Sequence, residues 1–277
     1  MEKNSLLDLQ NTILDIVLYF DSFCKKHQIT YYLMGGSALG AMRHQGFIPW
    51  DDDFDVFLDA ENYNKLLALK DEITNENYSF FVEGSKENPY YFSKLKKNNT
   101  IFIDEETINF KDSHRGIYID IMCLHNLSSC KFKAKMQYYA AALLKTNALT
   151  KVNYVTNSRK KKILLSLSKI VNLKCIKALL LKIVKSCDKK ATEKVFHFFG
   201  RAKFDKAIYE RLWFKEPVYV KFDKYLLPVP TNCDAYLTTR YGSRYMEMPD
   251  QKTRDLYKSH AMYWNCYSDE IEEGKEF

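Results

Sequence analysis

The chain has 277 residues, of which 46% are hydrophobic and 28% charged, enough apolar material for the core of a globular protein. No apolar run reaches the roughly 18 uncharged residues of a membrane span, and the polar start MEKNSLLDLQ lacks a signal-peptide pattern. Seven cysteines without a C-x-x-C pair are typical of buried thiols in a reducing compartment. These features predict a cytoplasmic protein.

The net charge of +7 is unevenly distributed. Residues 131–206 contain 20 Lys and Arg against three acidic residues, a charge of +17, and the remainder of the chain carries −10. An acidic body with a basic middle segment is expected to meet an anionic partner, such as a membrane surface, a polymer or a nucleic acid.

Predicted helices and strands are mixed up to about residue 130. Apolar residues three and four apart make 1–28 an amphipathic helix, and ITYYLM (29–34) is a predicted strand that ends at a Gly-Gly pair. The next helix, 37–44, has Ser37 in position to cap it. Further along, the pattern predicts a helix at 59–69 and strands at 53–58, 78–83, 91–95, 100–104 and 117–122.

The rest of the chain has a different composition. Residues 131–200 lack Pro, contain one Gly and are rich in Lys, Leu, Ala and Ile, which favours helices. The aromatic, Pro-containing tail is predicted to be irregular with short helices. We therefore expect a catalytic core at 1–130, a basic helical subdomain at 131–203, and a C-terminal segment at 204–277 that completes the active-site cleft.

Candidate chemistry begins with the acidic run before and within the strand at 53–58. Asp53 and Asp55 are two residues apart, so on a strand they project from the same face. Neighbouring carboxylates repel, and a divalent cation offsets that repulsion; Mg²⁺ typically takes one or two carboxylates plus substrate phosphates. Asp51 shares their parity and is a reserve ligand, whereas Asp52 is expected to be structural. The alternative is a solvated acidic turn.

Two further features support a metal-phosphate site. In GIYIDI (116–121) the isoleucines occupy one face of a strand and Asp120 the other, and a lone buried carboxylate is costly unless a metal pairs with it. The alternative for Asp120 is an exposed acid on a half-solvated strand. Gly35-Gly36-Ser37 lies between a strand and a helix, where backbone N–H groups can approach a phosphate.

These residues carry a family resemblance. Gly-Gly-Ser followed by Asp53-x-Asp55 and Asp120 resembles the signature of the nucleotidyltransferase fold. More narrowly, GGSALGAMRHQGFIPWDDDFDV (35–56) resembles the LicD/fukutin family of phosphotransferases, as do SKLKKNNT (93–100) and GIYIDIM (116–122). The tail matches more loosely, with Tyr241-Gly242, Pro249, Arg254 and His260 in the family's order. Gln45 and Lys96 depart from the family, which more often has a basic residue and Arg there.

The resemblance implies an α+β fold, with a nucleotidyltransferase-like mixed sheet and flanking helices, to which the basic helical subdomain is added. It also implies transfer of phosphocholine from CDP-choline to a hydroxyl of a cell-surface glycan (teichoic acid, lipooligosaccharide or capsule), releasing CMP. In the fukutin-like branch the transferred group is an alditol phosphate, ribitol or glycerol phosphate, from a CDP-alditol. The expected cofactor is Mg²⁺, with Mn²⁺ as the alternative.

Site residues follow from both lines of reasoning. Asp53, Asp55 and Asp120 are the predicted catalytic and metal-binding residues, with Asp120 either a ligand or the base for the acceptor hydroxyl. The predicted substrate-binding residues are Gly35, Gly36, Ser37, Arg43, Lys94, Lys96 and His260.

The basic segment leaves alternatives open. Residues 159–190 are apolar and cationic, as interfacial helices are, but on one continuous helical wheel their lysines cover more than half the circumference. The segment is either a peripheral contact with the anionic inner face of the membrane or an ordinary helical subdomain. Another class, a nucleic-acid-binding nucleotidyltransferase, is disfavoured because few aromatics are interleaved with the basic residues; we expect no nucleic-acid partner. The intact acids argue against a non-catalytic adaptor.

Overall fold

A computed structural model describes residues 4–110, 114–256 and 260–270 of the protein. Its helices are α1 (Leu6–Lys26), α2 (Gly35–His44), α3 (Ala60–Ala68), α4 (Lys70–Ile73), α5 (Lys131–Lys151), α6 (Arg159–Ser168), α7 (Lys174–Val184), α8 (Cys233–Tyr241) and α9 (Gln251–Leu256), with 3₁₀ turns at Lys169–Asn172, Phe204–Lys206 and Arg211–Phe214. Its strands are β1 (Tyr32–Leu33), β2 (Asp55–Asp59), β3 (Tyr78–Phe81), β4 (Ser93–Lys97), β5 (Ile101–Asp104), β6 (Tyr118–Asn126), β7 (Lys194–Phe196), β8 (Ile208–Glu210), β9 (Val218–Phe222), β10 (Tyr225–Val229) and β11 (Ala261–Asn265).

The main sheet is mixed. Its strands run in the order β1-β2-β6-β4-β3, and β7 and β8 extend it from β6. Strands β2 and β6 are parallel, whereas the other pairs are antiparallel. Because parallel neighbours start at the same edge of a sheet, the first residues of β2 and β6 lie together there. The predicted α+β class with a mixed sheet is confirmed.

Helix α1 packs against this sheet as its apolar pattern predicts. Ser5 caps it: the Asp8 backbone N–H donates to Ser5 Oγ, and Asp8 Oδ2 accepts from the Ser5 N–H at 2.9 Å, a reciprocal capping box. The face made by the apolar positions is fully buried at Leu9, Ile13, Ile16, Val17 and Phe20. Residues 1–3 of the predicted helix lie outside the described residues.

Helices α5 and α7 and the 3₁₀ turn at Lys169–Asn172 contribute to a second apolar cluster beside the main core. Two lysines of this region join it to the loop between β3 and β4: Lys185 Nζ lies 2.7 Å from Glu83 Oε1, and Lys177 Nζ donates to the Gly84 carbonyl at 3.2 Å. The basic helices are therefore attached to the loop that leads into β4. The predicted boundaries at 130/131 and 203/204 stay predictions.

Three element predictions are wrong. Strand β2 begins at Asp55, so Asp53 lies in the extended segment before it. Strand β7 interrupts the region predicted to be helical. The tail, predicted to be irregular, contributes β8, the β9–β10 hairpin and β11, which pairs with β5. These strands are short or pair with distant residues, and local patterns predict such strands poorly. Among the described residues, no helix has the length and apolarity needed to span a membrane.

Candidate active site

A row of charged side chains crosses the sheet on one face. Asp55 at the start of β2 is in register with Asp120 of the parallel strand β6, and Asp120 is in register with Lys94 of β4. Neighbouring strands are about 4.8 Å apart, so these side chains lie side by side. Lys94 Nζ is 2.7 Å from Asp120 Oδ1, and both side chains are largely buried, at 8% and 16% exposure. The sheet thus brings together Asp55, Asp120 and Lys94 as the sequence predicts.

The acidic segment before β2 alternates as predicted. Asp51, Asp53 and Asp55 are partly exposed, whereas Asp52 is 1% exposed. Asp52 binds the tail: its Oδ2 accepts from the Ala261 N–H at 2.6 Å. The odd-numbered carboxylates therefore lie on the more exposed side of this segment, and the contact of Asp52 with the tail is consistent with the structural role expected of it.

Burial and mutual repulsion act on these carboxylates. Burial is the largest cause that raises the pKa of Asp51 and of Asp55 well above the usual carboxyl range, and the charge of Asp53 adds to both. Burial also raises the pKa of Asp53, against the opposing charge of His260, and that of Asp120, against the opposing charge of Lys94. The cluster carries more negative charge than its surroundings compensate, so a cationic ligand would be favoured there.

Ser37 positions Asp55 and does not cap the helix. Helix α2 begins at Gly35, with Met34 as its N-cap, so the predicted cap is wrong. Ser37 is 4% exposed, and its hydroxyl accepts a hydrogen bond of 2.9 Å from the Asp55 backbone N–H. This bond connects residues 18 positions apart and fixes the first residue of β2. The predicted phosphate contact of Ser37 stays a prediction, and a buried hydroxyl already paired in this way is poorly placed for it.

The two glycines give space to the acidic segment. Gly35 has φ +53°, in the left-handed region where glycine is favoured, and its N–H donates to the Tyr236 hydroxyl at 2.7 Å. A Cβ on Gly36 would lie 2.6 Å from Asp51 Oδ2. The start of α2 therefore lies against a carboxylate in this structure, and phosphate binding by Gly35 and Gly36 stays a prediction.

His260 lies next to the acidic segment, as the resemblance implies. Its Nδ1 is 3.2 Å from Asp52 Oδ1 and 3.6 Å from Asp53 Oδ2. The hydrogen bond to Asp52, followed by the charge of Asp53, raises the pKa of His260 to about 9, so the imidazole is cationic at neutral pH. On its other side, Arg201 Nη1 lies 3.4 Å from Nε2. The tail thus places the His260 cation beside the acidic segment.

Arg43 binds the tail in this structure. Its Nη1 donates to the carbonyl oxygens of Tyr245 at 2.9 Å and Glu247 at 3.1 Å, which attaches the segment after α8 to α2. Burial lowers the pKa of Arg43. A substrate contact by Arg43 stays a prediction, since these carbonyls already take two of its hydrogen bonds.

Lys94 is enclosed by aromatic rings. Its Nζ lies 3.3 Å from the centroid of the Tyr118 ring, 5.2 Å from that of Phe92 and 5.8 Å from that of Tyr90, distances at which a ring face attracts a cation. Together with the ion pair to Asp120, these rings hold the ammonium group in place. These three rings thus surround a cation of the protein itself.

Lys96 lines a small cleft next to this row. Its Nζ donates to the carbonyl oxygen of His114. Burial, with the charge of Lys94 as the second cause, lowers the pKa of Lys96 to about 7. Lys94 also lines the cleft, as do Asn88, Tyr90, Phe102, Phe110 and Arg115. An anion that enters the cleft would meet two buried lysines.

The donor set of the cluster has the chemistry of a magnesium site but does not converge on one point. Among the described residues, no three His, Cys, Asp or Glu side chains are arranged to hold a metal ion. Asp120 is paired with Lys94, which leaves Asp53 and Asp55 as the available carboxylates. Hard oxygen ligands in this number fit Mg²⁺, which usually completes its shell with water and substrate phosphates.

Contacts across the chain were missed by sequence reasoning. Tyr236 is 201 residues from Gly35, Arg201 is 59 residues from His260, and the carbonyls held by Arg43 are 202 and 204 residues from it. No local pattern signals these contacts. The ring around Lys94 had a usable signal. Lys94 and Lys96 alternate on β4 as Tyr118 and Asp120 do on β6, so the pleat places all four on one face.

A mixed sheet with in-register carboxylates at the start of two parallel strands is the site expected of a nucleotidyltransferase domain. Residues 28–139 match the family model described as the LicD/FKTN/FKRP nucleotidyltransferase domain. The predicted resemblance to the LicD/fukutin family is therefore confirmed for this part of the chain, which contains every predicted site residue except His260.

Curated relatives are also similar to part of this chain. The chain is 40% identical over 79 residues to the lipopolysaccharide cholinephosphotransferase LicD of Haemophilus influenzae, covering 28% of this chain and 30% of that protein. It is 32% identical over 79 residues to the mouse ribitol 5-phosphate transferase FKRP, covering 27% and 16% respectively. An uncharacterized protein of Rickettsia prowazekii is 34% identical over 97 residues, covering 35% and 33%. The chain thus spans a third or less of the length of these relatives.

Proposed function

We propose that this protein is a phosphotransferase that moves phosphocholine from CDP-choline to a hydroxyl of a cell-surface glycan and releases CMP. The observation that carries the proposal is the charged row of Asp55, Asp120 and Lys94 across β2, β6 and β4, with Asp53 beside it. This row lies within residues 28–139, which match the family model, and part of the chain is similar to proteins named cholinephosphotransferase and ribitol 5-phosphate transferase. Both names describe transfer of a phosphorylated small alcohol.

The proposed cofactor is Mg²⁺, with Mn²⁺ as the alternative, held by Asp53 and Asp55. When bound, the cation would offset negative charge on the two phosphates of the donor and on the leaving CMP. The pKa values of both carboxyl groups are raised by burial, so cation binding would favour their ionised forms. Asp120, the third predicted ligand, already has Lys94 as a partner, and Asp51 stays the reserve ligand.

The protein's own residues would orient and deprotonate the acceptor. The acceptor oxygen attacks the phosphorus that carries choline, the bond from that phosphorus to the CMP oxygen breaks, and the hydroxyl proton is transferred to Asp120. Lys94, 2.7 Å away, opposes the rise that burial causes in the pKa of Asp120 and orients its carboxylate. Lys96, in the adjacent cleft, would neutralise the donor phosphates.

An alternative donor is supported by one comparison. The similarity to FKRP covers as many residues as the similarity to LicD, so an alditol phosphate from CDP-ribitol or CDP-glycerol is the second candidate. The rings next to the row are occupied by Lys94, and they give no independent preference for a choline headgroup.

The test compares donors on the purified full chain. The protein is incubated with Mg²⁺, a candidate glycan acceptor and CDP-choline, CDP-ribitol or CDP-glycerol in separate reactions, and CMP is measured. We expect acceptor-dependent CMP release with CDP-choline. Release with a CDP-alditol alone would select the alternative, whereas activity on nucleoside triphosphates with a nucleic-acid primer would overturn both candidates.

A further inference from the structure

We infer that α6 and the 3₁₀ turn after it form a docking surface for an anionic membrane. This surface, called the α6 surface below, comprises Arg159–Asn172. The inference concerns binding to lipid and stands independently of the proposed transfer reaction, because the test uses vesicles that contain no acceptor and no donor.

The α6 surface carries large apolar side chains that nothing covers among the described residues. Ile163, Leu164, Leu167 and Ile170 are 52% to 65% exposed. Within the part of the chain that the structure describes, helix α6 contacts α5 on the side where Ser168 is buried and its carbonyl accepts from Asn147 Nδ2 at 3.0 Å. Single exposed apolar residues are ordinary, but four within eight positions form a patch of the kind found at interaction sites.

Three of the four exposed residues share one side of the helix. Ile163, Leu167 and Ile170 are spaced by four and three residues, so they are neighbours on the helix surface. Ser168, the buried position, lies about half a turn away from them. Lys162 and Lys169, seven residues apart and both exposed, lie on the flank between the two sides. The free side of α6 is therefore an apolar strip with cations along its edge.

The charge identifies the chemistry of the partner. Arg159, Lys160, Lys161 and Lys162 occupy the first turn of α6, and no acidic residue lies there. The amino end of a helix already carries partial positive charge, so these cations are unfavourable unless an anionic group lies nearby. Lipid phosphates at a membrane surface would offset both charges, while lysine stems extend over the apolar strip. A partner protein with a surface of mixed charge could cover the apolar strip, but it would not offset the charge of these four cations.

The attachment of the subdomain connects this surface to the cleft. Lys177 and Lys185 of the α7 region contact the loop that leads into β4, which carries Lys94. Beyond β7, Arg201 lies next to His260 and 2.8 Å from Glu106. A membrane bound at the α6 surface would therefore be connected, through the α7 region and the loop between β3 and β4, to the strand that carries Lys94 of the proposed active site.

The experiment measures co-sedimentation of the full chain with vesicles of phosphatidylglycerol or of phosphatidylcholine at low salt. The test variant is Lys160→Gln/Lys162→Gln/Leu167→Ser. The matched control, Lys221→Gln/Lys224→Gln/Leu226→Ser, removes the same groups from the β9–β10 hairpin, where Leu226 is 61% exposed against 65% for Leu167. Thermal unfolding of both variants is expected to match the wild type, because every changed side chain is exposed.

We expect the wild type and the control variant to co-sediment with phosphatidylglycerol vesicles but not with phosphatidylcholine vesicles. The test variant should bind at least about 30-fold more weakly, the loss expected for two cations near an anionic surface. Equal binding to both lipids, or equal loss in the control, would overturn the inference. So would a wild-type dimer that the test variant dissociates, since a second copy would then cover the strip, and so would binding of duplex RNA in place of vesicles.

Discussion

Removing Lys94 gives the sharpest test of the charged row. In Lys94→Met an unbranched apolar side chain of similar size remains, but the ammonium group is lost, so Asp120 loses a partner 2.7 Å away and the Tyr118 ring loses its cation. Exposed ion pairs contribute about 0.2–1 kcal/mol, whereas removing one partner of a buried pair costs about 3–5 kcal/mol. Exposures of 8% and 16% place this pair near the buried limit. We expect a loss of about 3 kcal/mol, since Asp120 can take up a proton and limit the cost.

The assay is a double-mutant cycle by urea denaturation, with Lys94→Met, Asp120→Asn and the double variant. Each single change leaves one buried charge alone, whereas the double change removes both, so its cost should fall below the sum of the single costs by about 2 kcal/mol or more. The slope of each unfolding curve is expected to stay constant, which identifies a change in stability alone. Single costs that add to within about 0.5 kcal/mol would refute the coupling.

The remaining predictions concern the other site residues. Asp53→Ala or Asp55→Ala should abolish transfer without lowering stability, and near-normal turnover in Mg²⁺ would contradict the assignment. Because burial raises the pKa of both carboxyl groups, their ionisation costs stability as pH rises above the pKa of the unfolded chain. Any gain in the free energy of unfolding, measured by urea denaturation, should therefore be larger at neutral than at acid pH. Asp120→Asn should lower turnover by on the order of 10² to 10⁴ with metal affinity kept if Asp120 is the base, and calorimetry that shows lost metal binding would make it a ligand instead. Ser37→Ala leaves the Asp55 N–H without its 2.9 Å partner and should lower the free energy of unfolding by about 1–3 kcal/mol. It should also lower kcat more than it raises KM, and an unchanged kcat would show that Ser37 does not position Asp55. His260→Gln should destabilise the protein most below about pH 6.5 and least above the raised His260 pKa of about 9. The reason is that the wild-type imidazolium loses its attraction to Asp52 and Asp53 when it deprotonates. A destabilisation that is constant with pH would show that charge is not involved.

The core of the site was predictable because strand geometry is local. Parity alone places Asp53 and Asp55 on one side and Asp52 on the other, and the apolar face of GIYIDI places Asp120 opposite it. The register of β2 with β6 and β4 is a long-range property, yet the pattern anticipated that these carboxylates meet. The ion pair between Lys94 and Asp120 follows from that register and was not anticipated.

Ser37 shows where local rules fail. Its position before a helical run matches a capping pattern, but the chain continues the helix back to Gly35, and the hydroxyl pairs with the N–H of Asp55 18 residues away. A tertiary hydrogen bond replaced the local one. The tail contacts of Arg43 and His260 similarly depend on residues more than 200 positions distant, which no short pattern encodes.

In the basic segment, the prediction failed because one helical wheel was drawn over a stretch that is not one continuous helix. A single helical wheel for 159–190 spreads the lysines widely, but the structure divides this stretch into α6, a 3₁₀ turn at Lys169–Asn172 and α7. Each break resets the helical phase, so the faces of α6 and α7 must be considered separately. Taken alone, α6 has an exposed strip at Ile163, Leu167 and Ile170.

The central claim is that the Asp53, Asp55 and Asp120 cluster transfers a phosphorylated alcohol from a CDP donor to a glycan. The most direct measurement uses CDP-choline labelled in the choline phosphate, and compares CMP released with label bound to glycan for wild type and Asp55→Ala. We predict equal amounts of both products for the wild type, neither without acceptor, and neither for the variant. Label that remains on the donor in every reaction, or CMP released in equal amounts without acceptor, would contradict the claim.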